Sequence, residues 1–268
     1  MSMEAVKLYA LLEEEFKPSE CTEVFPKIGL QYHHCDEVQR IYTANFASPE
    51  VFEQLIALDA RECLLFTHHP APQRKLASDP PAVIPEQYVE EMAKRQISLF
   101  SYHIPLDRNG RWSPGNNLAK AIAAVPYGEF YFQNGVLMGA LCDSGYTTVD
   151  QLTAALRTAL NHEVKCYTYG EAALQNGRLA IMAGGAKNTE IYRELHEKGI
   201  NAFLTGVTNA ENPWVVDLHT QAKKYRINLI GGTHYSTEKF APMAMCHYFS
   251  ALGLPAQFLP ETPQLSEM

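Results

Sequence analysis

The chain has 268 residues, of which 46% are hydrophobic and 19% are charged, so its composition is that of a folded globular protein and excludes a disordered one. The formal net charge of −8 argues against general binding to nucleic acid or to an anionic membrane surface, because both require basic patches. No apolar run is long enough to span a bilayer and the acidic amino-terminal stretch is unlike a secretory signal, so we expect a cytoplasmic protein.

Six cysteines are scattered along the chain without a C-x-x-C pair, which argues against a cysteine-based metal site and indicates a reduced protein. Cys63 and Cys142 fall in apolar runs typical of strands, where a thiol is usually a small buried hydrophobic group. We therefore expect both thiols to be buried.

In chain order, predicted helices and strands alternate. In the first half of the chain, the spacing of apolar residues predicts a helix over 3–16, a strand over 38–45, a helix from 49, a strand over 63–66, a helix over 86–95 and a strand over 97–102. The second half predicts a short helix over 117–124, a hairpin over 128–133 and 136–142, helices over 148–160, 188–198, 212–224 and 236–252, and strands over 164–169, 178–183, 202–204 and 227–230. Such alternation is typical of an α/β fold.

Local signals place several of these boundaries. Ser48 and Thr148 are predicted helix N-caps, and Asn134-Gly135 predicts a tight primed hairpin turn. Residues 70–84 are rich in proline and are predicted to form an exposed loop. The first helix is predicted to bury one side, made of Val6, Tyr9, Leu11, Leu12 and Phe16.

Three histidine clusters each follow a short apolar run, at the strand ends where open α/β sheets place ligands. They are His68-His69, His103 with Asp107, and His234 with Glu238. Imidazole and carboxylate groups are ligands that divalent transition metals prefer. Five of these residues are too many for one closed tetrahedral zinc and suit two ions sharing a bridging carboxylate, as in hydrolytic two-metal sites: His68, His69, Asp107, His234 and Glu238.

Each cluster also has a structural interpretation. The first histidine pair could be polar residues at a strand exit. Asp107 could be a turn carboxylate, on a loop, because Pro105 argues against a helix interior. His234 and Glu238 are predicted to share one face of a first helical turn, which is also typical of a capping arrangement.

Two further patterns are assigned structural roles. Gly184-Gly185, with Lys187 close behind, could cradle a phosphate, but it lacks the full G-x-G-x-x-G spacing and is predicted to be a tight turn. His33-His34 does not follow a convincing strand, so this pair is not expected to bind metal.

The ordered motifs THHP at 67–70, H-x-x-x-D at 103–107 with Asn116-Asn117 after it, and GGTHYSTE at 231–238 resemble those of the NIF-three-like dinuclear-metal family. Many members of that family are called GTP cyclohydrolase 1 type 2 homologues. The likeness covers nearly the whole chain, from Ile28 to the last helix. It implies a single NIF-three-like unit over 1–268, with two interlinked α/β lobes near 1–127 and 128–268, the metal site between them, and no inserted middle domain.

The resemblance also implies roles for individual residues. His68 and Asp107 would bind one ion, His69 and His234 the other, and Glu238 would bridge both. His103 would line the site, and we assign it a role either in supporting a metal ligand or in proton transfer. The two divalent ions could be zinc, iron, manganese or nickel, since His, Asp and Glu suit all four. A ring-shaped homohexamer, a trimer of dimers, is the expected assembly.

Three positions depart from the family pattern. Carboxylates that the family usually carries near the site are replaced by Asn45, Val207 and Gly231. All three changes leave the predicted metal ligands in place and bear on substrate preference and proton transfer.

The leading hypothesis is a dinuclear metallohydrolase that acts on an anionic small molecule, either a nucleotide-like compound or a phosphoester. A divalent ion would lower the pKa of water toward ~7, and His103 would move the proton. The alternative is a non-catalytic metal-binding or regulatory ring-shaped assembly protein. An oxidative di-iron centre is disfavoured because the helical Glu-x-x-His pairs of such bundles are missing.

Overall fold

The computed structural model describes residues 2–74, 79 and 82–268, and the protein is a mixed α/β structure. Its strands are β1 (Met3–Glu4), β2 (Gly29–Tyr32), β3 (Glu37–Val38), β4 (Arg40–Phe46), β5 (Cys63–His69), β6 (Ile97–Ser101), β7 (Val125–Gln133), β8 (Val136–Asp143), β9 (Lys165–Tyr167), β10 (Arg178–Met182), β11 (Ala202–Thr205), β12 (Asn228–Gly231) and β13 (Ala256–Phe258). Its α-helices are α1 (Ala5–Phe16), α2 (Pro49–Ala57), α3 (Glu86–Lys94), α4 (Ile104–Asp107), α5 (Pro114–Ala121), α6 (Val149–Leu160), α7 (Ile191–Glu197), α8 (Pro213–Tyr225), α9 (His234–Glu238) and α10 (Phe240–Ala251).

The chain folds into two compact units, each made of discontinuous segments. Unit 1 comprises Met1–Asp107 and Ala241–Thr262, and unit 2 comprises Arg108–Phe240 and Pro263–Met268. The lobes predicted from the sequence are contiguous, with a boundary near residue 127, and that boundary stays a prediction.

Unit 1 contains a five-stranded sheet in the order β13-β4-β5-β6-β2. The first four of these strands are parallel neighbours, and β2 is antiparallel to β6. Helices α2 and α3 pack on this sheet through buried side chains that include Phe52, Leu55 and Met92. Because β5 and β6 are parallel, their carboxyl ends lie at the same edge of the sheet. That edge carries the first two histidine clusters.

Unit 2 contains a six-stranded sheet in the order β7-β8-β10-β11-β12-β9. Strands β10, β11 and β12 are parallel, while β7, β8 and β9 pair antiparallel with their neighbours. Leu152, Leu156 and Leu160 of α6 pack in the apolar core that includes residues of β10 and β11. The third histidine cluster follows β12.

The predicted turn and caps are confirmed. Asn134 and Gly135, which join β7 and β8, have φ angles of 54° and 83°, as a type I′ hairpin turn requires. The Ser48 side chain accepts a hydrogen bond from the Val51 N–H at the start of α2, and Thr148 caps α6 in the same way.

The predicted buried side of the first helix is partly wrong. Helix α1 buries Ala5, Leu8, Leu12 and Phe16, whereas Val6 is 73% exposed. The buried positions are three or four residues apart and form one stripe on the helix, and Val6 lies outside that stripe. Leu12 and Phe16 were placed correctly because they belong to it.

The last predicted helix, over 236–252, is in fact two helices. Helix α9 ends at Glu238 and α10 begins at Phe240. Pro242 falls in the first turn of α10, where its missing N–H has no intrahelical partner to lose. The predicted helix over 117–124 likewise begins earlier, at Pro114, directly after Ser113.

The predicted burial of two thiols is confirmed. Cys63 and Cys142 have no exposed surface, and burial raises the pKa of each thiol to about 12. The proline-rich loop predicted over 70–84 lies partly outside the described residues, which omit 75–78, 80 and 81. Across the described ranges, every helix is too short or too polar to cross a lipid bilayer.

A buried carboxylate ties the end of unit 1 to its sheet. Glu261 Oε2 accepts the N–H groups of Asn45 and Phe46 at 3.0 and 3.1 Å, and its Oε1 accepts the Ser48 hydroxyl at 2.8 Å. Burial raises the pKa of Glu261 to about 7, although these hydrogen bonds oppose the change. The carboxyl group therefore joins the end of β4 to the cap of α2.

We predict that Glu261 makes the free energy of unfolding fall as the pH rises through about 7. A folded-state pKa above the unfolded value of 4.5 stabilises the fold most below pH ~4.5, and that contribution is lost as the carboxyl group ionises in the folded protein. Urea titrations at several pH values should show the wild type losing stability relative to Glu261→Gln between pH ~5 and ~8. A stability difference that does not change with pH would contradict the prediction.

Candidate metal centre

His68 and His69 are the last two residues of β5, so they lie within the strand and not beyond it as predicted. Both imidazoles are buried, and their ring centroids are 4.5 Å apart with the planes tilted by 59°. His68 Nε2 lies 3.1 Å from Asp107 Oδ1. The pair thus forms part of a polar cluster at the edge of the unit 1 sheet.

His103 and Asp107 lie on one helical turn, so the predicted loop is wrong. Helix α4 covers Ile104–Asp107, and the Asp107 N–H donates to the His103 carbonyl at 2.9 Å. Pro105 is tolerated because it lies in the first turn, where its missing N–H has no intrahelical acceptor. The spacing of four places His103 Nε2 at 3.6 Å from Asp107 Oδ2.

Three imidazoles converge in unit 1. One ring nitrogen from each of His68, His69 and His103 lies within 4.8 Å of the others. Phe46 stacks on His69 with the ring centroids 4.4 Å apart, and Phe25 meets the His103 ring edge-on at 4.9 Å. These apolar walls restrict the rotation of the imidazoles, so the cluster keeps one arrangement of its nitrogens.

Glu23 is a member of this site that the sequence analysis missed. Its Oε1 lies 2.8 Å from His103 Nδ1, and its Oε2 accepts the Ile104 N–H at 3.0 Å. Burial alone would raise the pKa of Glu23, but the hydrogen bond and charge interaction with His103 and the N–H bonds from Val24 and Ile104 lower it below its usual value. Glu23 lies between a 3₁₀ turn and β2, where no strand-end pattern marks it.

In unit 2, His234 and Glu238 lie on one face of α9, as predicted. His234 Nε2 is 2.9 Å from Glu238 Oε1. Thr233 caps the helix with its hydroxyl, which accepts the Ser236 N–H at 3.1 Å. This capping is the structural alternative considered above, and it coexists with an imidazole and a carboxylate on the same face.

Gly184 forms the surface against which the Glu238 carboxylate lies. Its φ is +69°, and a Cβ built there would lie 2.1 Å from Glu238 Oε1 and 3.2 Å from His234 Nε2. The Gly184 N–H donates to the Thr237 hydroxyl at 2.9 Å, so this donor is already engaged within the protein. The prediction of a tight turn was therefore incomplete, because the glycine also makes room for a carboxylate.

The remaining patterns from the sequence are also placed. His33 contacts Asp36 at 3.0 Å and His34 stacks on Tyr32, away from the unit 1 cluster. That the pair does not bind metal stays a prediction.

Gly231 ends β12, and a Cβ there would lie 2.1 Å from Thr208 Oγ1. This chain therefore leaves no room at Gly231 for the carboxylate that the resemblance implied.

The residues in each unit fit a divalent transition metal by their chemistry. Unit 1 brings imidazole nitrogens together with the Asp107 carboxylate, and unit 2 presents one imidazole and one carboxylate 2.9 Å apart over a glycine. Nitrogen and oxygen ligands of this kind suit zinc, iron, manganese or nickel. The Glu23 carboxylate in turn orients the His103 imidazole through its Nδ1, as carboxylates commonly do for imidazoles around metal sites.

Comparisons with known proteins show the family to which this chain is similar. The family model Duf34/NIF3 (NGG1p interacting factor 3) matches residues 3–262. A protein of Archaeoglobus fulgidus named GTP cyclohydrolase 1 type 2 homolog is 27% identical over 86% of this chain and 87% of its own length. A protein of the same name from Yersinia pestis is 23% identical over 91% of this chain and 92% of its own length.

Solved structures show the same fold. Reduced HcgD from Methanocaldococcus jannaschii has a TM-score of 0.74 at 18% identity, covering 97% of this chain and 99% of the other. A Bacillus cereus protein related to NIF3 has a TM-score of 0.69 at 13% identity, covering 99% of this chain and 98% of the other. The resemblance stated from the motifs is therefore confirmed at the level of family and fold.

We predict that Gly184→Ala lowers the free energy of unfolding by about 1–3 kcal/mol, because alanine is strained at this φ and its Cβ would collide with the Glu238 carboxylate. Gly185→Ala is the matched control, since a Cβ there would meet Trp214 at an ordinary 3.7 Å. Urea denaturation should separate the two variants. Equal stability of Gly184→Ala and Gly185→Ala would contradict the role assigned to Gly184.

Proposed function

Because the chain belongs to the Duf34/NIF3 family, we propose that it is a metal-dependent hydrolase that binds two divalent ions per chain. The observation that carries the proposal is the presence, in each unit, of at least one histidine beside a carboxylate that a short helical turn positions. Such ligand sets recur in hydrolytic two-metal sites.

In this proposal, His68 and Asp107 would bind one ion, His69 and His234 would bind the other, and Glu238 would serve both. The contacts of His68 with Asp107 and of His234 with Glu238 support this pairing of imidazole and carboxylate. Zinc, iron, manganese and nickel all suit these ligands.

The substrate class in this proposal is an anionic small molecule, either a nucleotide-like compound or a phosphoester. The relatives named GTP cyclohydrolase 1 type 2 homolog make GTP the first compound to test. A divalent ion would supply Lewis acidity and lower the pKa of water.

His103 is the residue that moves the proton. Glu23, whose pKa is lowered, stays ionised and accepts a hydrogen bond from His103 Nδ1. The proton of the neutral imidazole is therefore held on Nδ1, which leaves Nε2 as the atom that takes up and returns a proton. Phe25, packed edge-on against the ring, keeps that nitrogen in place.

We predict that Glu238→Gln lowers the occupancy of both metal positions, whereas Asp107→Asn mainly empties one. The reason is that a bridging carboxylate serves two ions and a terminal one serves a single ion. Elemental analysis of protein reconstituted with Zn²⁺ measures the change. His33→Ala combined with His34→Ala is the control and should leave the metal content unchanged. One ion or fewer per wild-type chain would refute the dinuclear proposal.

We predict that His103→Ala keeps both ions and the fold but cuts hydrolytic turnover by ~10²-fold or more, the usual size of a general acid–base contribution. Turnover of GTP and of model phosphoesters, measured beside metal content, tests this. Loss of metal together with turnover would instead make His103 a ligand, and its convergence with His68 and His69 gives that outcome a structural basis.

The alternative function is a non-catalytic metal-binding or regulatory assembly protein. Metal-loaded protein that binds two ions yet turns over no nucleotide or phosphoester would favour it. The proposed assembly in either case is a homohexamer, a trimer of dimers, which light scattering tests. The feature of this chain that supports an assembly is the edge strand β7. Its residues Val125, Tyr127 and Phe132 are 65%, 43% and 66% exposed.

A further inference from the structure

The segment after Thr262 is attached to the loop that follows β11. The Glu267 carbonyl accepts the N–H groups of Thr208 and Asn209 at 2.7 and 2.8 Å. The Asn209 side-chain amide donates to the Ser266 carbonyl at 2.8 Å. These bonds use the backbone of residues 266 and 267, so they fix the position of the segment whatever side chains it carries.

The Glu267 side chain reaches from this fixed segment to the start of α9. Its Oε2 accepts the His234 N–H at 2.8 Å. That N–H belongs to the first residue of α9, where helical N–H groups have no acceptor within the helix. Thr233 serves a different donor, the Ser236 N–H, so the two caps are complementary.

The peptide bond that Glu267 contacts follows a residue in a strained conformation. Thr233 has φ +63° and ψ 153°, a region that β-branched residues rarely occupy. Its carbonyl accepts the Thr237 hydroxyl at 2.9 Å, and the next N–H is the one held by Glu267. The 233–234 peptide is thereby held at both its carbonyl, by Thr237, and its N–H, by Glu267.

The orientation of this peptide sets the direction in which the His234 side chain leaves the backbone. Rotation of the peptide would change the separation of His234 Nε2 and Glu238 Oε1, now 2.9 Å, because Glu238 is fixed separately against Gly184. We propose that Glu267 is a positioning residue that pre-orients the His234–Glu238 pair for a divalent cation. The metal-binding part of this inference rests on the proposed function, and the positioning of the turn does not.

Metal-free protein provides the first test. In hydrogen–deuterium exchange resolved to single amides, Glu267→Ala should raise the exchange rate of the His234 amide by about tenfold or more, since its acceptor is gone. Glu267→Gln keeps an acceptor oxygen and should stay near the wild-type rate. Ser266→Ala, which keeps the carbonyl bonded to Asn209, is the matched control. An unchanged His234 amide in Glu267→Ala would overturn the proposal.

Zn²⁺ titration by calorimetry provides the second test. Glu267→Ala should weaken Zn²⁺ binding ~10–100-fold, the usual effect of removing a group that orients a ligand, and Glu267→Gln should largely restore it. Equal loss in both variants would assign the effect to charge and overturn positioning, as would wild-type affinity in Glu267→Ala. Wild-type protein that binds no Zn²⁺ would refute the proposed function, while the exchange rates would still decide whether Glu267 fixes the turn.

Discussion

The Glu238 carboxylate can occupy its position because the backbone beside it at Gly184 carries no side chain. Gly206 has a similar effect at the end of β11, where a Cβ would lie 2.5 Å from the Gly184 carbonyl and 2.8 Å from His234 Cα. Two strand ends and α9 are therefore in backbone contact. A five-residue helix is not stable by itself, so this packing is what sets the geometry of the His234–Glu238 pair.

The unit 1 cluster is held in a different way, by side chains. Helix α4 has four residues, and its first N–H is held by Glu23, which also contacts His103. Phe46 and Phe25 cover the rings of His69 and His103. Buried polar groups that are bonded to one another in this way have few alternative arrangements. A change at Glu23 would therefore alter both the start of α4 and the orientation of an imidazole.

The strand ends and the histidine clusters could be predicted because both depend on local patterns. Apolar runs marked β5, β6 and β12, and the spacing of His234 and Glu238 marked a helical turn. The turn of α4 was missed because Pro105 is unfavourable in a helix interior, and a four-residue helix has no interior. The buried side of α1 was partly missed because the predicted set included Val6 and left out Ala5 and Leu8, which belong to the buried stripe.

Long-range contacts account for what the sequence could not predict. Glu23 is 80 residues from His103 and Glu267 is 33 residues from His234, and both lie in segments without a periodic pattern. The role of Gly184 depends on a carboxylate 54 positions later, whereas the sequence showed only a glycine pair between a strand and a helix. Such pairings follow from the tertiary fold, so no local signal marks them.

Two short helical turns share one spacing, with a histidine four positions before a carboxylate at 103 and 107 and again at 234 and 238. Each residue of an α-helix turns the chain by about 100°, so three or four steps return a side chain to about the same face and five do not. Residues between the paired groups are buried, among them Ile104, Leu106, Tyr235 and Thr237. Exchange of the apolar residues Ile104 and Leu106 for others of similar volume keeps this geometry, but insertion of a single codon in either window would turn the carboxylate away from its histidine.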